Sequence, residues 1–544
     1  MDGPHVKGGP MTDGGLNDRD RALLFGDEGV TPGEAVVHFE HGLARYGGEE
    51  TADVAGEPQT LQAFIYRNGG KLMLPAEAGR DFWPYGAPAE EVTLDRLKAG
   101  DWETRRDEMI AELRSGAERL VAADRARRSQ VAPKLSPNGA AMTKFAAGFG
   151  HEPTPDQARA IDAVLSDLAR EVPMDRLLIG DVGFGKTEVA LRAAAAAALC
   201  DRQVVLAAPT TVLARQHAHT LRKRFGQNAV IEISRLLPDA DRADALARVA
   251  SGDAKVVVGT QAVLAEDVTF ADLALVIIDE EQRFGREQKR DLRALAEGVH
   301  VLTMTATPIP RSLAAAEIGL MDVSVIATAP ATRVPVETRI SGFDADAIEA
   351  AIEEEIARGG QVYLVCPRIE GTGRIEAMLE RRGANFSHVT AHGQIDEDTL
   401  EARMLRFMEG DVDVLLSTTI IESGLDNPRA NTMIVVDADL FGLAQLHQLR
   451  GRIGRGDVAA KMVLTTEVDA GADGVDADDA PNDAVRRLEA FAEMSEIGAG
   501  FRIAREDRHM RGFGEIDGDA QSGQTSRLGI GLYRHILRDY IARA

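Results

Sequence analysis

Short apolar runs separated by longer helix-favouring stretches fill the chain from about residue 151 onward. A first block has such runs at 177–179, 204–207, 256–258, 275–278 and 301–304. A second block has strand-type runs at 362–365, 387–390, 414–416, 433–436 and 462–464. Runs of this length are typical of buried strands, and strands that alternate with helices form parallel sheets. The pattern therefore predicts a multi-domain α/β protein with two parallel α/β domains, at residues 151–333 and 334–466.

The stretch before these blocks has a different texture, with short strands and tight turns. Strand-type runs lie at 35–38, at 71–74 and from Leu61 to Tyr66, and Asn68-Gly69-Gly70 is typical of a hairpin turn. This pattern predicts a small SH3-like or Tudor-like β-barrel over residues 29–88. Residues 1–28 are rich in Gly, Asp and Pro without an apolar period, which predicts a disordered tail.

Two further regions have a charged, helix-favouring composition. Residues 92–130 carry a sparse apolar stripe, which predicts a long connecting helix inside a linker at 89–150, with Gly100 and Gly116 as the candidate positions for a break. A solvated spacer is an equally good interpretation of that charge. Residues 467–544 are interpreted as an acidic, flexible loop followed by a helical region.

Bulk composition sets limits on the class of protein. A chain of 544 residues is long enough for three or four domains, and its net charge of −25 argues against a generally basic nucleic-acid coat protein. A local basic track on an acidic body stays possible. Cys200 and Cys366 lie far apart and fit no metal spacing, which favours a reducing cytoplasm. The sequence shows neither a membrane-spanning run nor a signal-peptide pattern, so no membrane partner is expected.

One glycine-rich stretch organises the first block. Gly180-Asp181-Val182-Gly183-Phe184-Gly185-Lys186-Thr187 fits the phosphate-binding P-loop pattern and lies between a predicted strand and a predicted helix. Backbone N–H groups and the positive helix end would surround phosphates, with Lys186 at the β- and γ-phosphates and Thr187 on Mg²⁺. The alternative is a chance glycine turn before a surface helix.

Carboxylates follow a neighbouring strand of the same block. Asp279 ends the predicted strand at 275–278, where Mg²⁺ needs a second protein ligand, and Glu280 is the candidate for polarising the attacking water. The alternative is an ordinary acidic turn. Thr305 and Thr307 end the next strand and could report the state of the nucleotide.

Arginines end the second block. Arg452 and Arg455 lie three residues apart, and this spacing places them on one face of a helix. A guanidinium offers two donors to the negative charge that builds up during phosphoryl transfer. Arginines from a second domain would make hydrolysis depend on closure of a cleft. The alternative is a basic helix paired with surface acids.

In their order and spacing these motifs resemble the superfamily-2 helicase core. The resemblance also takes in Gln157, Pro209-Thr210-Thr211, the Asp279–Gln282 box, the 418–426 segment and Gln448. The wording of 174–176 before the P-loop, of 303–311 and of 441–448 is similar to the transcription-repair coupling factor (Mfd) family. The resemblance implies two RecA-like domains, ATP and Mg²⁺ as cofactors, and a catalytic role for Gln282. It also implies nucleotide contacts from a further set of residues: Gln157, Gly424, Asp426 and Gln448.

The same resemblance implies duplex DNA as a partner. The 507–523 segment is similar to a translocation motif shared by Mfd and RecG, with Arg511 and Gln521 as its working polar residues. Together with the two threonines after the strand at 301–304, the expected contact residues in the helicase core are Thr210, Thr211, Arg215, Thr260, Gln261, Thr418 and Thr419. The chain is expected to act as a monomer.

The N-terminal module carries a resemblance of its own. Residues 36–48 are similar to the RNA-polymerase-interacting module of Mfd and CarD-like regulators. The strand from Leu61 to Tyr66 is expected to offer its edge to a polymerase strand. A UvrB-like region and a C-terminal restraining domain are not expected in this length, so neither is UvrA binding. His151 and Asn427 depart from the family pattern.

Together these observations predict a shortened Mfd-like double-stranded DNA translocase that docks on RNA polymerase and acts on stalled transcription complexes. Two alternatives remain at this point. One is a RecG-like remodeller of branched DNA, and the other is a CarD-like polymerase-binding regulator with a vestigial motor. The expected location is the bacterial cytoplasm, in association with the nucleoid.

Overall fold

The structure is a computed structural model. It describes residues 18–25, 29–54, 57–75, 81–89, 92–97, 101–235, 237–306, 320–330, 333–382, 385–422, 427–454, 458–466, 483–494, 531, 532, 535, 536 and 539. The chain divides into two compact units. The first comprises residues 1–129, 309–323 and 504–544, and the second comprises residues 130–308 and 324–503. None of the helices in the described ranges combines the length and apolar content that a membrane span requires.

An antiparallel sheet of five strands forms the centre of the first unit. The strands are β1 (Glu34–His38), β2 (Gly42–Val54), β3 (Glu57–Ile65), β4 (Lys71–Pro75) and β5 (Phe82–Pro88), in the order β4-β3-β2-β1-β5. Tyr46, Phe64 and Phe82 pack against one another on one face, with ring centroids 4.9 to 5.8 Å apart. The predicted antiparallel module is therefore present, while its closure into a barrel stays a prediction.

The predicted polymerase-binding edge is wrong. From Leu61 to Ile65, β3 pairs with β2 on one side and with β4 on the other, so the strand from Leu61 to Tyr66 has no free edge. Phe64 is fully buried within it. The outer strands of this sheet are β4 and β5.

Two helices of the first unit differ from the sequence prediction. Helix α1 (Asp18–Phe25) lies inside the stretch that was predicted to be a disordered tail. Helix α2 (Asp101–Ser129) begins about nine residues later than predicted and continues through Gly116 without a break. Glycine inside a helix costs about 1 kcal/mol relative to alanine. Burial of Trp102 and Leu113 against the sheet offsets that cost.

A seven-stranded sheet begins the second unit. Its strands are β6 (Asp175–Gly180), β7 (Gln203–Ala207), β8 (Val230–Ile233), β9 (Val256–Gly259), β10 (Leu273–Asp279), β11 (His300–Thr305) and β12 (Asp322–Ile326). They follow the order β12-β6-β11-β10-β7-β9-β8, and the described pairings are parallel. The helices of this part are α3 (Gly139–Ala147), α4 (Pro155–Leu168), α5 (Lys186–Leu199), α6 (Thr211–Phe225), α7 (Asp239–Ala250) and α8 (Arg286–Leu295).

A six-stranded sheet completes the second unit. Its strands are β13 (Glu337–Gly342), β14 (Gln361–Val365), β15 (His388–Ala391), β16 (Val414–Ser417), β17 (Ala430–Val435) and β18 (Lys461–Thr466). Their order is β13-β18-β17-β14-β16-β15, again with parallel pairings. The helices are α9 (Ala345–Ala357), α10 (Ile369–Arg382), α11 (Glu397–Glu409), α12 (Leu443–Arg450) and α13 (Asp483–Glu493).

The two predicted parallel sheets are confirmed. Each of the ten predicted runs falls on a strand, with shifts of one residue at Ser387 and Val436. Strands β8, β12 and β13 were not predicted. All three are outer strands. A polar residue interrupts the apolar run in β8 (Glu232) and in β12 (Ser324), and in β13 no residue is fully buried.

Candidate nucleotide-binding site

The glycine-rich loop connects a buried strand to a helix. Strand β6 ends at Gly180, and α5 begins at Lys186. Gly183 and Gly185 adopt φ angles of +78° and +81°, a left-handed backbone conformation that residues other than glycine rarely adopt. This turn brings successive backbone N–H groups to the N-terminus of a fourteen-residue helix. That arrangement binds phosphate oxygens.

Lys186 lies over the start of the loop. Its Nζ donates hydrogen bonds to the backbone oxygens of Gly180 at 2.6 Å and Asp181 at 3.3 Å. Burial lowers the pKa of Lys186, while the charges of Glu280 and Asp279 oppose that shift. The predicted phosphate-binding lysine and the two predicted carboxylates therefore share one site.

Asp279 lies in the same sheet as the P-loop strand, at the carboxyl end of β10, with β11 between β10 and β6. It is the last residue of β10, is only 7% exposed, and lies with Oδ2 2.7 Å from Nε2 of His217. Burial raises the pKa of Asp279, but the hydrogen bond with His217 and the charges of Lys186 and Arg452 outweigh it and lower the pKa. The carboxylate is therefore ionised, as a metal ligand must be.

Glu280 has a strained backbone. Its φ of +49° is left-handed, which is uncommon for glutamate and is found disproportionately at functional sites. Its side chain accepts a hydrogen bond from Nε2 of Gln282, whose Oε1 accepts one from the hydroxyl of Thr305 at 3.1 Å. These contacts join the ends of β10 and β11, where the sequence predicts the attacking water and a nucleotide-state relay.

Gln157 supports the loop from the other side. Its Nε2 donates to the backbone oxygen of Phe184 at 2.7 Å, and its Oε1 accepts from the backbone N–H of Thr154 at 3.0 Å. It is 2% exposed. In this conformation Gln157 braces the P-loop, and its expected contact with adenine stays a prediction.

The donor set fits Mg²⁺ with a nucleotide. The described residues contain no cluster of three or more His, Cys, Asp or Glu side chains that could hold a metal by themselves. Thr187 at the start of α5 and Asp279 at the end of β10 offer one hydroxyl and one carboxylate. Magnesium is usually held by one or two protein oxygens together with phosphates and water.

The second parallel sheet's domain also contacts the P-loop. Nε2 of His447 lies 2.8 Å from Oδ1 of Asp181, and a Cβ atom on Gly451 would lie 2.6 Å from Cβ of Val182. Burial raises the pKa of Asp181, but His447 and Arg333 outweigh that effect and lower it. Helix α12 and the turn after it therefore pack directly on the phosphate-binding loop.

Arg452 lies close to the same loop. It is 3% exposed, and its charge lowers the pKa values of Lys186 and Asp279. The sequence prediction brings Arg452 together with Lys186, and the structure places them within electrostatic reach. Helix α12 ends at Arg450, so Arg452 lies in the turn after it and not on the predicted helix face. Gln448, a predicted nucleotide contact on α12 itself, is partly exposed. Three further predicted nucleotide or catalytic residues lie outside the described residues: Gly424, Asp426 and Arg455.

Several predicted DNA contacts follow the carboxyl ends of strands. Thr210 caps the N-terminus of α6 after β7, and its hydroxyl accepts from the backbone N–H of Leu213 at 3.3 Å. Thr260 and Gln261 follow β9. Ligands of parallel α/β sheets bind at this edge. The second domain has the equivalent pair, Thr418 and Thr419, after β16.

Other predicted DNA contacts have protein partners or are not described. Arg215 on α6 lies 3.7 Å from a carboxylate oxygen of Glu232 and equally far from one of Glu401. Thr211 is the first residue of α6 and is half-buried. Three predicted coupling residues lie outside the described residues: Thr307, Arg511 and Gln521.

Sequence reasoning missed four side chains at this site. His447 lies next to the predicted Gln448, but nothing in the sequence pairs it with Asp181. Arg333, which donates to the backbone oxygen of Val182, follows the first block without a recognisable motif. Arg450 contacts Nδ1 of His447 at 3.3 Å. His217 lies six residues into α6, and only the fold brings it to Asp279.

Three families match parts of the chain. Residues 154–316 match the DEAD/DEAH box helicases, and residues 346–457 match the helicase conserved C-terminal domain. Residues 30–85 match the CarD-like/TRCF RID domain. The two parallel sheets are thus the two halves of a helicase core, as the sequence predicted.

Whole-chain comparisons extend these matches. The transcription-repair-coupling factor of Myxococcus xanthus is 41% identical over 521 residues, which are 95% of this chain and 42% of that protein. The chain is therefore similar to the transcription-repair-coupling factors along almost its whole length. The factors of Escherichia coli and Bacillus subtilis are 41% and 39% identical over 94% of this chain. The chain spans less than half the length of those relatives, between 42% and 44%.

A solved structure shows the same fold in a related protein. RecG bound to a three-way DNA junction superposes on 89% of this chain and 71% of its own, with a TM-score of 0.65 and 26% identity. Since the two helicase matches lie within residues 154–457, a likeness over 89% of the chain extends beyond them.

Proposed function

We propose that this chain is an ATP-driven double-stranded DNA translocase that docks on RNA polymerase and acts on stalled transcription complexes. One observation carries the proposal. The P-loop of the first helicase domain is contacted by α12 of the second, through His447 and Asp181 at 2.8 Å. A site built from both domains links nucleotide chemistry to their relative movement.

Each ATP-site residue has a distinct role in this proposal. Lys186 and the N–H groups at the start of α5 would hold the phosphates, and Arg452 would offer a planar cation to the transferred group. Thr187 and Asp279 would hold Mg²⁺, which neutralises charge that develops on the phosphate oxygens. Glu280 would orient and deprotonate the attacking water, in reach of Gln282.

Duplex DNA would lie along the carboxyl ends of the strands in both domains. The candidate contacts are threonines and glutamine at the ends of β7, β9 and β16, which suit phosphate oxygens better than base edges. Contacts of this kind are independent of base sequence. A motor that steps along any sequence needs that independence.

Polymerase docking would use β4 of the N-terminal sheet. Since Leu61–Tyr66 has no free edge, the outer strands are the candidates, and β5 contains Pro84 and Pro88, which lack the N–H group that strand pairing requires. Strand β4 (Lys71–Pro75) has Leu72 and Leu74 packed on the aromatic cluster and a partly exposed Met73 between them. Addition of a polymerase strand at this edge agrees with the CarD-like/TRCF match at 30–85.

Further predictions concern regulation and partners. We propose that these 544 residues hydrolyse ATP without an activating protein, act as a monomer in the cytoplasm, and do not bind UvrA. Very low ATP turnover in the presence of duplex DNA would contradict the first part, and a stable complex with UvrA the last.

The decisive functional test is displacement of a stalled RNA polymerase from DNA. We expect ATP to support displacement and a non-hydrolysable ATP analogue not to support it, with Met73→Lys reducing polymerase binding but not ATP turnover. Activity on branched DNA forks without any effect on stalled complexes would instead support a RecG-like remodeller. Displacement that survives Lys186→Ala would support a CarD-like regulator.

A further inference from the structure

His217 makes a buried contact with a residue of the proposed metal site. Its Nε2 lies 2.7 Å from Oδ2 of Asp279, and the two residues are 6% and 7% exposed. An ionised carboxylate can only accept hydrogen bonds, so Nε2 is the donor. Hydrogen bonds to an ionised partner are shorter and stronger than neutral ones.

Mostly apolar side chains border the His217 side of this hydrogen bond. A cavity of about 10 Å³ lies beside His217, lined by Thr187, Thr220 and apolar side chains of α5, α6, β7, β9 and β10. A hydrogen bond in such surroundings meets little competition from water. Thr187, the other residue proposed to hold Mg²⁺, borders the same cavity, so His217 contacts one proposed metal ligand and shares a cavity with the other.

His217 also belongs to the helix that carries proposed DNA contacts. Helix α6 begins at Thr211 with Thr210 as its cap, and Arg215 lies on the same helix. Six residues of helix span about 9 Å. A shift of the helix start, caused by DNA phosphates, would therefore reach His217 as a movement of one rigid element.

We propose that His217 is a positioning residue, which fixes the Asp279 carboxylate for Mg²⁺ and couples engagement of DNA on α6 to the ATP site. The hydrogen bond from Nε2 to Oδ2 fixes the orientation of the carboxylate and therefore the direction in which Oδ1 points. Residues that orient metal ligands in this way change metal affinity or activity by about 10-fold to 100-fold when they are replaced. The coupling of His217 to DNA rests on the proposed function. Its role in orienting Asp279 for Mg²⁺ concerns only metal and nucleotide binding.

The chain offers matched variants for the test. His217→Leu removes the donor at similar volume, His217→Gln keeps an N–H donor at about the distance of Nε2, and His217→Asn keeps the amide but is too short to reach Asp279. His219 is an exposed histidine two residues further along the same helix, and His219→Gln is the control.

The first measurement is Mg²⁺-dependent binding of a fluorescent ATP analogue to each full-length variant. We expect His217→Leu and His217→Asn to raise the half-saturating Mg²⁺ concentration by about 10-fold to 100-fold. We expect His217→Gln to restore most of the affinity and His219→Gln to match the wild type. Equal Mg²⁺ dependence of His217→Asn, His217→Gln and the wild type would overturn the proposal, and this comparison holds even if His217→Leu fails to fold.

The second measurement is the ratio of ATP turnover with and without duplex DNA. The proposal expects that ratio to fall toward one in His217→Asn and to stay at the wild-type value in His217→Gln. A wild-type ratio in His217→Asn would overturn the coupling role. Absence of DNA-stimulated turnover in the wild type would instead refute the proposed function, and the Mg²⁺ titration would still decide whether His217 positions Asp279.

Discussion

The two helicase domains share one scaffold but differ in chemistry. In each sheet a strand begins with a buried glutamine, Gln203 on β7 and Gln361 on β14. Nε2 of Gln203 donates to the backbone oxygens of Val249 and Ala254 at 2.9 Å each. Nε2 of Gln361 donates at 2.7 and 2.6 Å to the backbone oxygens of residues 46 and 51 positions further on, the same spacings as in the first domain.

Strand order aligns the rest of the two sheets. Counted outward from the glutamine strand, β10, β11 and β6 correspond to β17, β18 and β13. After β10 and β17 the chain has a left-handed residue, Glu280 with φ +49° and Asp437 with φ +50°. Further along each chain segment, the N–H of a glycine donates to the side chain of a glutamine three residues later. The pairs are Gly285 with Gln288 and Gly442 with Gln445.

The two domains differ in the loop that follows β6 in the first domain and β13 in the second. After β6 the glycine loop leads into α5 without a side-chain cap, whereas after β13 the carboxylate of Asp344 accepts from the N–H groups of Asp346 and Ala347. At the position of Asp279 the second domain has Val436. One scaffold thus yields a nucleotide site in the first domain, while the second supplies His447 and Arg452 to it.

The largest expected effect is on the nucleotide side of this comparison. Lys186→Ala should lower ATP turnover by about 10²-fold to 10³-fold, the usual loss for one charged or donor group at a developing anion. Phosphate release measured with duplex DNA present checks this. Phe343→Ala, at the equivalent loop of the second domain, should leave turnover at the wild-type rate, and a comparable loss in both variants would refute the asymmetry.

Replacement of the buried glutamine should lower local stability by a similar amount in both domains. Gln203→Leu and Gln361→Leu each remove the donor to two backbone oxygens. The oxygens of Val249 and Phe407 keep a hydrogen bond from the N–H groups of Gly252 and Gly410, so the expected cost of about 1–3 kcal/mol falls on the oxygen of Ala254 or Val412. Hydrogen–deuterium exchange of β7 and β14 measures the local loss of stability. We expect losses of similar size, each confined to the domain of the substitution. A large loss for one glutamine and none for the other would contradict the shared role.

Acid should destabilise the first domain through His300. This buried imidazole accepts from the N–H of Met174 at Nδ1, 3.1 Å away, and donates to the backbone oxygen of Pro133 from Nε2, 2.9 Å away. Burial lowers the pKa of His300 below its ordinary value of 6.5, so the folded state keeps it neutral while the unfolded state gains a proton.

The contribution of His300 is therefore fully present above about pH 6.5 and is lost as pH falls below it, with a slope of at most about 1.4 kcal/mol per pH unit. Exchange protection of β6 and β11, measured from pH 7.5 down to about pH 5.5, reports this loss. His300→Gln, which keeps a donor and an acceptor without a titrating group, should flatten the curve. An unchanged pH dependence in that variant would refute the assignment.

The smallest effect concerns the cap that replaces the P-loop. Asp344→Ala should destabilise α9 by about 1 kcal/mol, the usual cost of losing an N-terminal cap. Exchange of the first turn of α9 measures it. ATP binding should not change, and a weaker affinity for ATP would contradict the absence of a nucleotide role for this end of the second sheet.

Sequence reasoning reached the central strands and the linear motifs. Strand-type runs marked ten strands, which are all the inner strands of both sheets and the outer strand β15. The spacing of Gly180, Gly185 and Lys186 predicted the turn of the P-loop. It missed β13, whose half-exposed residues carry no such run, and it gave β3 a free edge that β4 occupies.

Contacts between residues far apart in the chain could not be predicted from the sequence. His217 and Asp279 are 62 residues apart, and His447 and Asp181 are 266 residues apart. Single histidines on helices carry no pattern that pairs them with a particular carboxylate. Only the order of strands within each sheet, and the packing of α12 on the P-loop, bring them together.

The central claim is that the second domain completes the ATP site of the first. The most direct test is ATP turnover of Arg452→Ala with duplex DNA, alongside equilibrium binding of a fluorescent ATP analogue. Because Arg452 is proposed to act on the charge that develops in the reaction, turnover should fall by about 10²-fold to 10³-fold while the affinity for the analogue stays close to the wild-type value. Wild-type turnover in this variant would contradict the claim.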